Sequence, residues 1–478
     1  MNNIVIVGGG TSGWSAAAFL SKNSKLNVTI IEPSDIPTIG VGESTIPYIN
    51  VIHNMMELDV FKTPEWIHRV DGTLKFSIEF ADYNRIGETW IHPFTVSNSK
   101  DEEMTGLTCH SQVPLDIYES HSDFINDNYI LPNMRSNKYT EPDEQTENDD
   151  IRYVGYHIDA AKYAQLLKEE SLKRNNLKLI DAHVTGISVK DENITNLILS
   201  NEDIIDADLF VDCTGFRALL SNAVGAEWDK TYSERLFVDT ALAVQLPYRN
   251  KSAQMRNTTY CHALQNGWVW NVPLQTRIGT GYVYSSRHTS EDDARMEFKK
   301  HLNKMYGYNK EELKFRKLDF GVGIRPESWK NNVVAVGLSS FFLEPIESTA
   351  ISTMHYQIST LYDMITNDYI LPKDKIKRFN SVNKMAVDAI ASYIELHYIM
   401  SKRTDSQFWK DVSSAKLTQV QKDTIELYLD PNRSFNRTTV DAVTGGHNIF
   451  DQSSFLFLYL GYDLLPNNVY SMVDRETL

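Results

Sequence analysis

Cysteine is scarce in this chain of 478 residues: only Cys109, Cys213 and Cys261 occur. They stand far apart, with no Cys-x-x-Cys pair and no Cys/His cluster, so neither a disulfide framework nor a metal site is expected. Basic charge is also in short supply. Forty-seven Lys and Arg against 63 Asp and Glu leave a net charge of −16, and such a surface repels phosphate backbones and anionic lipid. Nucleic acid and membrane are thereby excluded as expected partners. Long apolar runs are missing as well: FLFLYLGYDLLP at 455–466 is the richest late stretch, shorter and more polar than the ~18 apolar residues of a bilayer span. The start, MNNIVIVGGG, has neither the basic region nor the cleavage site of an export signal. A soluble, cytoplasmic protein is expected.

What is present is a core. Hydrophobic residues make up 42% and charged residues 23% of the chain, the balance of a globular protein, and the length allows about three domains or one large body with insertions. The opening reads as a βαβ unit: IVIV, the turn GGGTSG, the helical WSAAAFLSK, then NVTIIE. In LKFSIEF, Leu74, Phe76, Ile78 and Phe80 alternate with Lys75, Ser77 and Glu79, the pattern of a half-buried strand. From about 95 to 150 the composition turns polar, including TEPDEQTENDD, which predicts long loops or a surface insertion. Helical periodicity at IDAAKYAQLLKEESLKR gives way to short strands around LKLIDAHVTGISV, ITNLILS and DLFVDCTGF, a return into the first domain. Residues 236–285 are aromatic and β-rich. After 350 the pattern is mainly helical, clearest at AVDAIASYIELHYIMSK. No repeat or linker divides the chain, so one interleaved α/β body with a helical half is expected.

Gly8-Gly9-Gly10-Thr11-Ser12-Gly13 satisfies G-x-G-x-x-G between a strand and a helix, and Glu32 closes the next strand 19 positions after Gly13. Gly8 permits the tight turn, Gly10 lets the backbone approach a pyrophosphate, and Gly13 allows close helix packing. The helix N-terminus turns amide dipoles toward the anion, and Glu32 is placed for ribose hydroxyls. From this motif alone NAD and FAD both remain open. DLFVDCTGF, with Asp212 and Gly215, is a weaker pattern of the kind that returns the chain to FAD. With no second G-x-G-x-x-G downstream, a dedicated nicotinamide domain is missing, so electrons are expected to arrive from outside.

Several segments together resemble the flavin-dependent halogenase family, in its tryptophan-halogenase-like branch: GGGTSGW at 8–14, GVGESTIP at 40–47, TLKFSIEF at 73–80, YHIDAAKYA at 156–164, DLFVDCTGF at 208–216, GWVWNVP at 267–273 and VVAVGLSSFFLEPIESTAI at 333–351. GWVWNVP is similar to the family signature W-x-W-x-I-P, with Val272 in place of isoleucine. The resemblance implies an FAD-binding Rossmann-like α/β body of the GR2, p-hydroxybenzoate-hydroxylase-like type, with an interleaved, mainly helical substrate-binding half. Residues 1–350 would form the discontinuous FAD-binding body, interrupted by substrate-binding segments at about 76–155 and 220–320. Residues 351–478 would form the helical substrate side. It further implies FAD used as FADH2 and supplied by a separate flavin reductase, a halide co-substrate and a small aromatic substrate; a homo-oligomer stays open. In the family, reduced FAD and oxygen give a flavin hydroperoxide, halide attacks it, and hypohalous acid passes to the aromatic ring.

Residue by residue, the resemblance places Lys75 at the catalytic lysine and Glu347 at its acidic partner, with Ser348 as a third catalytic residue beside them. Thr349 and Ala350 fall at the halide turn, where Ser348 and Thr349 are expected to cap a helix beginning near Ala350. Trp268, Trp270 and Pro273 form the flavin-side signature that keeps an organic substrate away from the flavin oxygen. Besides Gly8, Gly10, Thr11, Ser12, Gly13 and Glu32, the cofactor positions are Val41, Gly42, Glu43, Ser44, Val184, Leu338 and Ile351. His92, Phe94 and Phe455 fall on the substrate side, where His92 and Phe94 would sandwich a ring. Phe455 stands where the family has a Trp, and no Trp follows Trp409, so an indole or phenol is preferred to free tryptophan. Without the family, Lys75 reads as a solvated strand lysine, the Trp pair as core and Glu347 as a first-turn helix glutamate. The competing readings are an FAD-dependent aromatic monooxygenase and a non-catalytic flavin-binding protein.

Overall fold

The computed structural model describes residues 2–36, 42–94, 154–308, 313–367, 369, 371–430, 432–446 and 449–464. Val41, Cys109 and all of the polar segment 95–150 lie outside them. The IVIV run becomes Asn3–Val7, with Ile4 to Val7 all buried, as a strand covered on both faces must be. It sits inside a six-stranded sheet ordered Trp329–Lys330, Val333–Ala335, Leu209–Asp212, Asn3–Val7, Asn27–Ile31, Leu177–Ile180. The central pairings are parallel. The chain leaves Asn3–Val7 to one side first and the other later, so a crevice opens at the carboxyl ends of Asn3–Val7 and Leu209–Asp212, where this architecture binds ligands. DLFVDCTGF thus does return to the glycine turn. Asp212, however, is used locally: its carboxylate accepts from the amides of Leu220 and Ser221 at 3.0 and 2.8 Å, capping the helix Leu219–Ala223.

The β-rich stretch is part of a seven-stranded sheet, ordered Arg316–Asp319, Thr240–Pro247, Arg277–Tyr284, Gly267–Pro273, Thr258–Ala263, Ser77–Ala81, Thr89–Pro93. Period-two alternation divides its side chains. Trp268, Trp270 and Val272 join the core formed with the helices after 372, whereas Val269 joins the core beneath the helix Glu291–Tyr306. This part of the chain is therefore a sheet carrying helices. The helix Ala350–Thr366 departs from the expected boundary at 351. Ile351, Met354, Ile358 and Leu361 share the core of the first helix, Thr11–Leu20, so this helix packs with the α/β body.

LKFSIEF is two strands. Thr73–Lys75 pairs with Gly155–Ile158, and Ser77–Ala81 enters the seven-stranded sheet. The break is at Phe76, whose amide donates to Asn257 O at 2.7 Å and whose carbonyl accepts from the Phe94 amide at 2.8 Å. Leu74 and Phe76 belong to the core of the α/β body, Ile78 and Phe80 to that of the larger sheet. Because the segment passes between two cores, its polar face is buried too: Lys75 and Ser77 are both 0% exposed. The half-buried reading of this strand is corrected accordingly.

Candidate functional site

Around the glycine turn the backbone leaves no room for side chains at Gly8 and Gly13 and open space at Gly10. Gly8 holds φ +111°, a Cβ on Gly13 would lie 1.8 Å from Gly8 O, and a Cβ on Gly10 would meet nothing within 4 Å. The helix Thr11–Leu20 starts with no side-chain cap and no acidic residue in its first turn. Its leading amides thus face the open cradle above Gly10, the donor set a pyrophosphate requires. Thr11 and Ser12 are half-buried at this rim. Glu32, at the end of Asn27–Ile31, accepts from Lys168 at 2.7 Å and from the Trp14 indole at 3.3 Å, which fixes its carboxylate under Gly9. These residues fit FAD.

The other described residues expected at the cofactor lie around the same body. Leu338 is exposed on the turn Gly337–Ser339, and Gly337 packs against Ser12. Ile351 is in the first turn of Ala350–Thr366, and Val184 opens the strand Val184–Lys190 beside the cluster holding Val7 and Ile31. Gly42 approaches Gly279 and Val272 of the larger sheet. Glu43 and Ser44 form a short strand on Gly155–Ile158. The Glu43 carboxyl is pushed up to about 7 by burial and by Asp159, against the pull of Arg277.

Where the two cores meet, Lys75 donates to Thr45 O at 3.1 Å and to Ser348 Oγ at 2.9 Å, and its Nζ lies 4.7 Å from the centre of the Phe94 ring. Burial pulls its ammonium down to about 7, although Glu347 and Cys261 both favour the charge. Glu347 is 1% exposed. Its carboxylate is gripped by two imidazoles, His92 Nδ1 at 2.8 Å and His397 Nε2 at 2.9 Å. Burial raises the Glu347 pKa, but His92 and His397 outweigh it and hold the carboxyl down at about 2. Glu347 and Ser348 take φ +63° and +57°. Two successive non-glycine residues in the left-handed region cost about 1–3 kcal/mol each, strain of the kind that collects at functional sites. That kink aims Ser348 at Lys75 and Glu347 at the histidines.

The helix does begin at Ala350, as expected, but neither Ser348 nor Thr349 caps it. Thr349 occupies the cap position with no side-chain hydrogen bond, and the Ser348 hydroxyl accepts from Lys75. The first amides of this helix are left without a side-chain acceptor, which suits an anion at Thr349 and Ala350.

Trp268 and Trp270 project from one face of Gly267–Pro273 with ring centres 6.5 Å apart and are 1% and 8% exposed. Pro273 O accepts from Thr73 Oγ1. His92 and Phe94, expected to sandwich a substrate ring, meet each other edge to face at 79°, and His92 is engaged by Glu347 and, at 3.1 Å, by Ser454 Oγ. Phe94 is the half-buried member of the pair. Phe455 is 4% exposed and packs edge-on to Tyr393 at 5.0 Å, so in this structure it is core rather than a substrate wall. Sequence reasoning missed His397, Ser454 and Thr45. His397 had a signal, since it continues the apolar stripe of Ile390 and Ile394 at helical spacing.

Among the described residues, no cluster of three or more His, Cys, Asp or Glu side chains is arranged to hold a metal, and no helix is long and apolar enough to cross a membrane.

Comparison with known proteins places these features in context. A family model described as tryptophan halogenase matches residues 3–477. Tryptophan 6-halogenase SttH of Streptomyces toxytricini is 30% identical over 452 residues, covering 89% of this chain and 83% of that protein. Tryptophan 7-halogenase RebH of Lentzea aerocolonigenes is 29% identical, covering 90% and 82%. Among solved structures, Xcc4156, a flavin-dependent halogenase from Xanthomonas campestris, superposes with a TM-score of 0.82 at 30% identity, covering 98% of this chain and 90% of that one.

Proposed function

The chain belongs to the flavin-dependent tryptophan halogenase family, and from that premise we propose that it halogenates a small electron-rich arene, an indole or phenol, through the amine of Lys75. Bound FAD, supplied reduced by a separate flavin reductase, would provide with oxygen the two-electron oxidation of a halide to hypohalous acid. The cradle at Gly8, Gly10 and Gly13 would hold its pyrophosphate, and the uncapped turn at Thr349 and Ala350 the halide. Trp268 and Trp270 would keep the organic substrate away from the flavin. The Lys75 amine takes the halogen from hypohalous acid and releases water. A ring carbon of the arene then takes the halogen from nitrogen, and the ring proton passes by way of Glu347 back to the amine. Reduced FAD, oxygen, halide, one proton and arene thus become FAD, halogenated arene and two waters.

The observation that carries this reading is a fully buried lysine held near neutrality beside an ionised, fully buried glutamate. An exposed lysine is almost wholly ammonium at pH 7 and a poor nucleophile, whereas Lys75 is divided between the two forms. A halogenated arene that still carries its ring proton is a strong acid, so even a carboxylate near 2 accepts that proton. Phe94 over Lys75 supports an aromatic substrate, and the absence of a Trp at 455 supports one without an amino-acid portion.

The test is mass spectrometry of an indole and phenol panel with enzyme, flavin reductase, FAD and each halide in turn. Halogenated product that appears only with halide is expected. Hydroxylated product without halide would establish the monooxygenase reading instead, and FAD binding without any product the non-catalytic one. The pH dependence has a definite sign. Transfer through a neutral amine rises about tenfold per pH unit below the Lys75 midpoint near 7 and levels off above it. A rate that falls across this range would show that the ammonium is the active form.

A further inference from the structure

His157 lies between the cofactor-side segment and the lysine strand, and nothing in the reaction above uses it. It is 0% exposed and occupies the middle strand of a three-stranded sheet, paired on one side with Ser44 and on the other with Thr73. Its Nδ1 is 2.8 Å from Thr73 Oγ1 and its Nε2 is 2.9 Å from Thr259 Oγ1. Thr259 Oγ1 is in turn 2.8 Å from Ser44 Oγ, and Thr73 Oγ1 is 2.7 Å from Pro273 O.

Hydrogen-bond valence gives this chain a direction. Pro273 O can only accept, and two oxygens 2.7 Å apart need a proton between them. The single hydroxyl proton of Thr73 therefore goes to Pro273, and Thr73 must accept from His157 Nδ1–H. In a neutral imidazole Nε2 is then an acceptor. It takes the Thr259 proton, and Thr259 accepts from Ser44. Burial and the neighbouring Lys75 charge both hold the ring well below the ordinary histidine range, which keeps it neutral. The preceding residue completes the frame: Tyr156 binds Thr45 through Thr45 N to Tyr156 O at 2.9 Å and Tyr156 N to Thr45 Oγ1 at 2.8 Å. Thr45 O is the acceptor of Lys75.

We propose that His157, in the Nδ1–H tautomer, is a positioning residue that fixes the lysine strand against segment 42–45 through the one-way chain Ser44, Thr259, His157, Thr73, Pro273. Its consequence for turnover rests on the proposed reaction; the chain itself does not. A loosened chain frees Thr73, two residues from Lys75, and lets the acceptor at Thr45 O drift. Lys75 then meets the oxidant in the wrong place, while flavin oxidation continues.

The test has two readouts on the full-length protein. In the first, long-range proton–nitrogen NMR of the 15N-histidine-labelled protein without added cofactor, with His157→Gln to assign the signal, is expected to place the His157 proton on Nδ1. A proton on Nε2, or a mixture of tautomers, overturns the proposal. In the second, halogenated product per reduced flavin consumed is compared in His157→Asn and His157→Gln. The Asn amide nitrogen overlies Nδ1 and keeps donation to Thr73, whereas Gln reaches only toward Thr259. The Asn variant is expected to stay within about threefold of wild type and the Gln variant to fall about tenfold, with FAD oxidised at an unchanged rate in both. Equal ratios in the two variants, or parallel loss of flavin oxidation and product as a merely structural role would give, overturn it. Thr259→Val breaks the cofactor-side arm without touching the ring and guards against a Gln variant that fails to fold. If the wild type yields no halogenated product, the reaction proposed above fails, and the tautomer alone decides the case of His157.

Discussion

Lys75→Met is expected to lose halogenated product by at least about 10²-fold, because methionine has no amine to take the halogen, while FAD binding and flavin oxidation persist. The separation follows from position. Lys75 touches Thr45, Ser348 and Phe94, whereas the FAD cradle is built at Gly8 to Gly13 on another part of the body. Methionine fills a similar apolar volume, so packing changes little. Stability should hold or rise. The folded pKa of Lys75, near 7, is below the ordinary 10.5, so between those values the unfolded chain binds more protons. The charge therefore opposes folding throughout that range and below it. A variant that melts no lower than wild type, oxidises reduced flavin and makes no halogenated product is the expected result from calorimetry and product analysis. Normal halogenation by this variant would remove Lys75 from the mechanism.

Glu347→Gln is expected to be damaging in two ways. Product formation should fall about 10²-fold or more because the ring proton loses its acceptor. Stability should fall as well. The gap between about 2 in the folded protein and the usual 4.5 corresponds to roughly 3 kcal/mol of stabilisation from the ionised carboxylate. That contribution is complete above about pH 4.5 and is lost as pH falls toward 2. Acid titration of the melting temperature should therefore show wild type and variant converging as pH drops from 4.5 to 2. Curves that stay parallel would mean that the paired histidines contribute nothing to holding Glu347 ionised.

How far the site was legible follows from where each residue lies. The βαβ opening could be read because a both-faces-buried strand, a turn that only glycine permits and a helix follow one another within twenty residues. Lys75 could not be read by pattern. Its strand crosses from one hydrophobic core to another at Phe76, so Lys75 and Ser77 on the polar side of the alternation are buried between cores, and alternation alone cannot tell that from solvent. The kink at Glu347 and Ser348 was equally hidden, since neither residue type signals a left-handed backbone. His397 and Ser454 come from helices about 50 and 107 residues beyond Glu347, and only tertiary packing brings His397 to Glu347 and Ser454 to His92. Local pattern likewise gave no reason to assign Ala350–Thr366 to the α/β body, because its apolar stripe suits either core.

The most direct measurement separates oxidant formation from its use. Enzyme given reduced FAD, oxygen and bromide without arene is freed of flavin and halide by rapid gel filtration and only then mixed with an indole. If the halogen waits on the Lys75 nitrogen, up to one equivalent of bromoindole forms per enzyme molecule, and Lys75→Met treated identically forms none. No bromoindole from wild type, or equal amounts from both proteins, would contradict transfer through this amine.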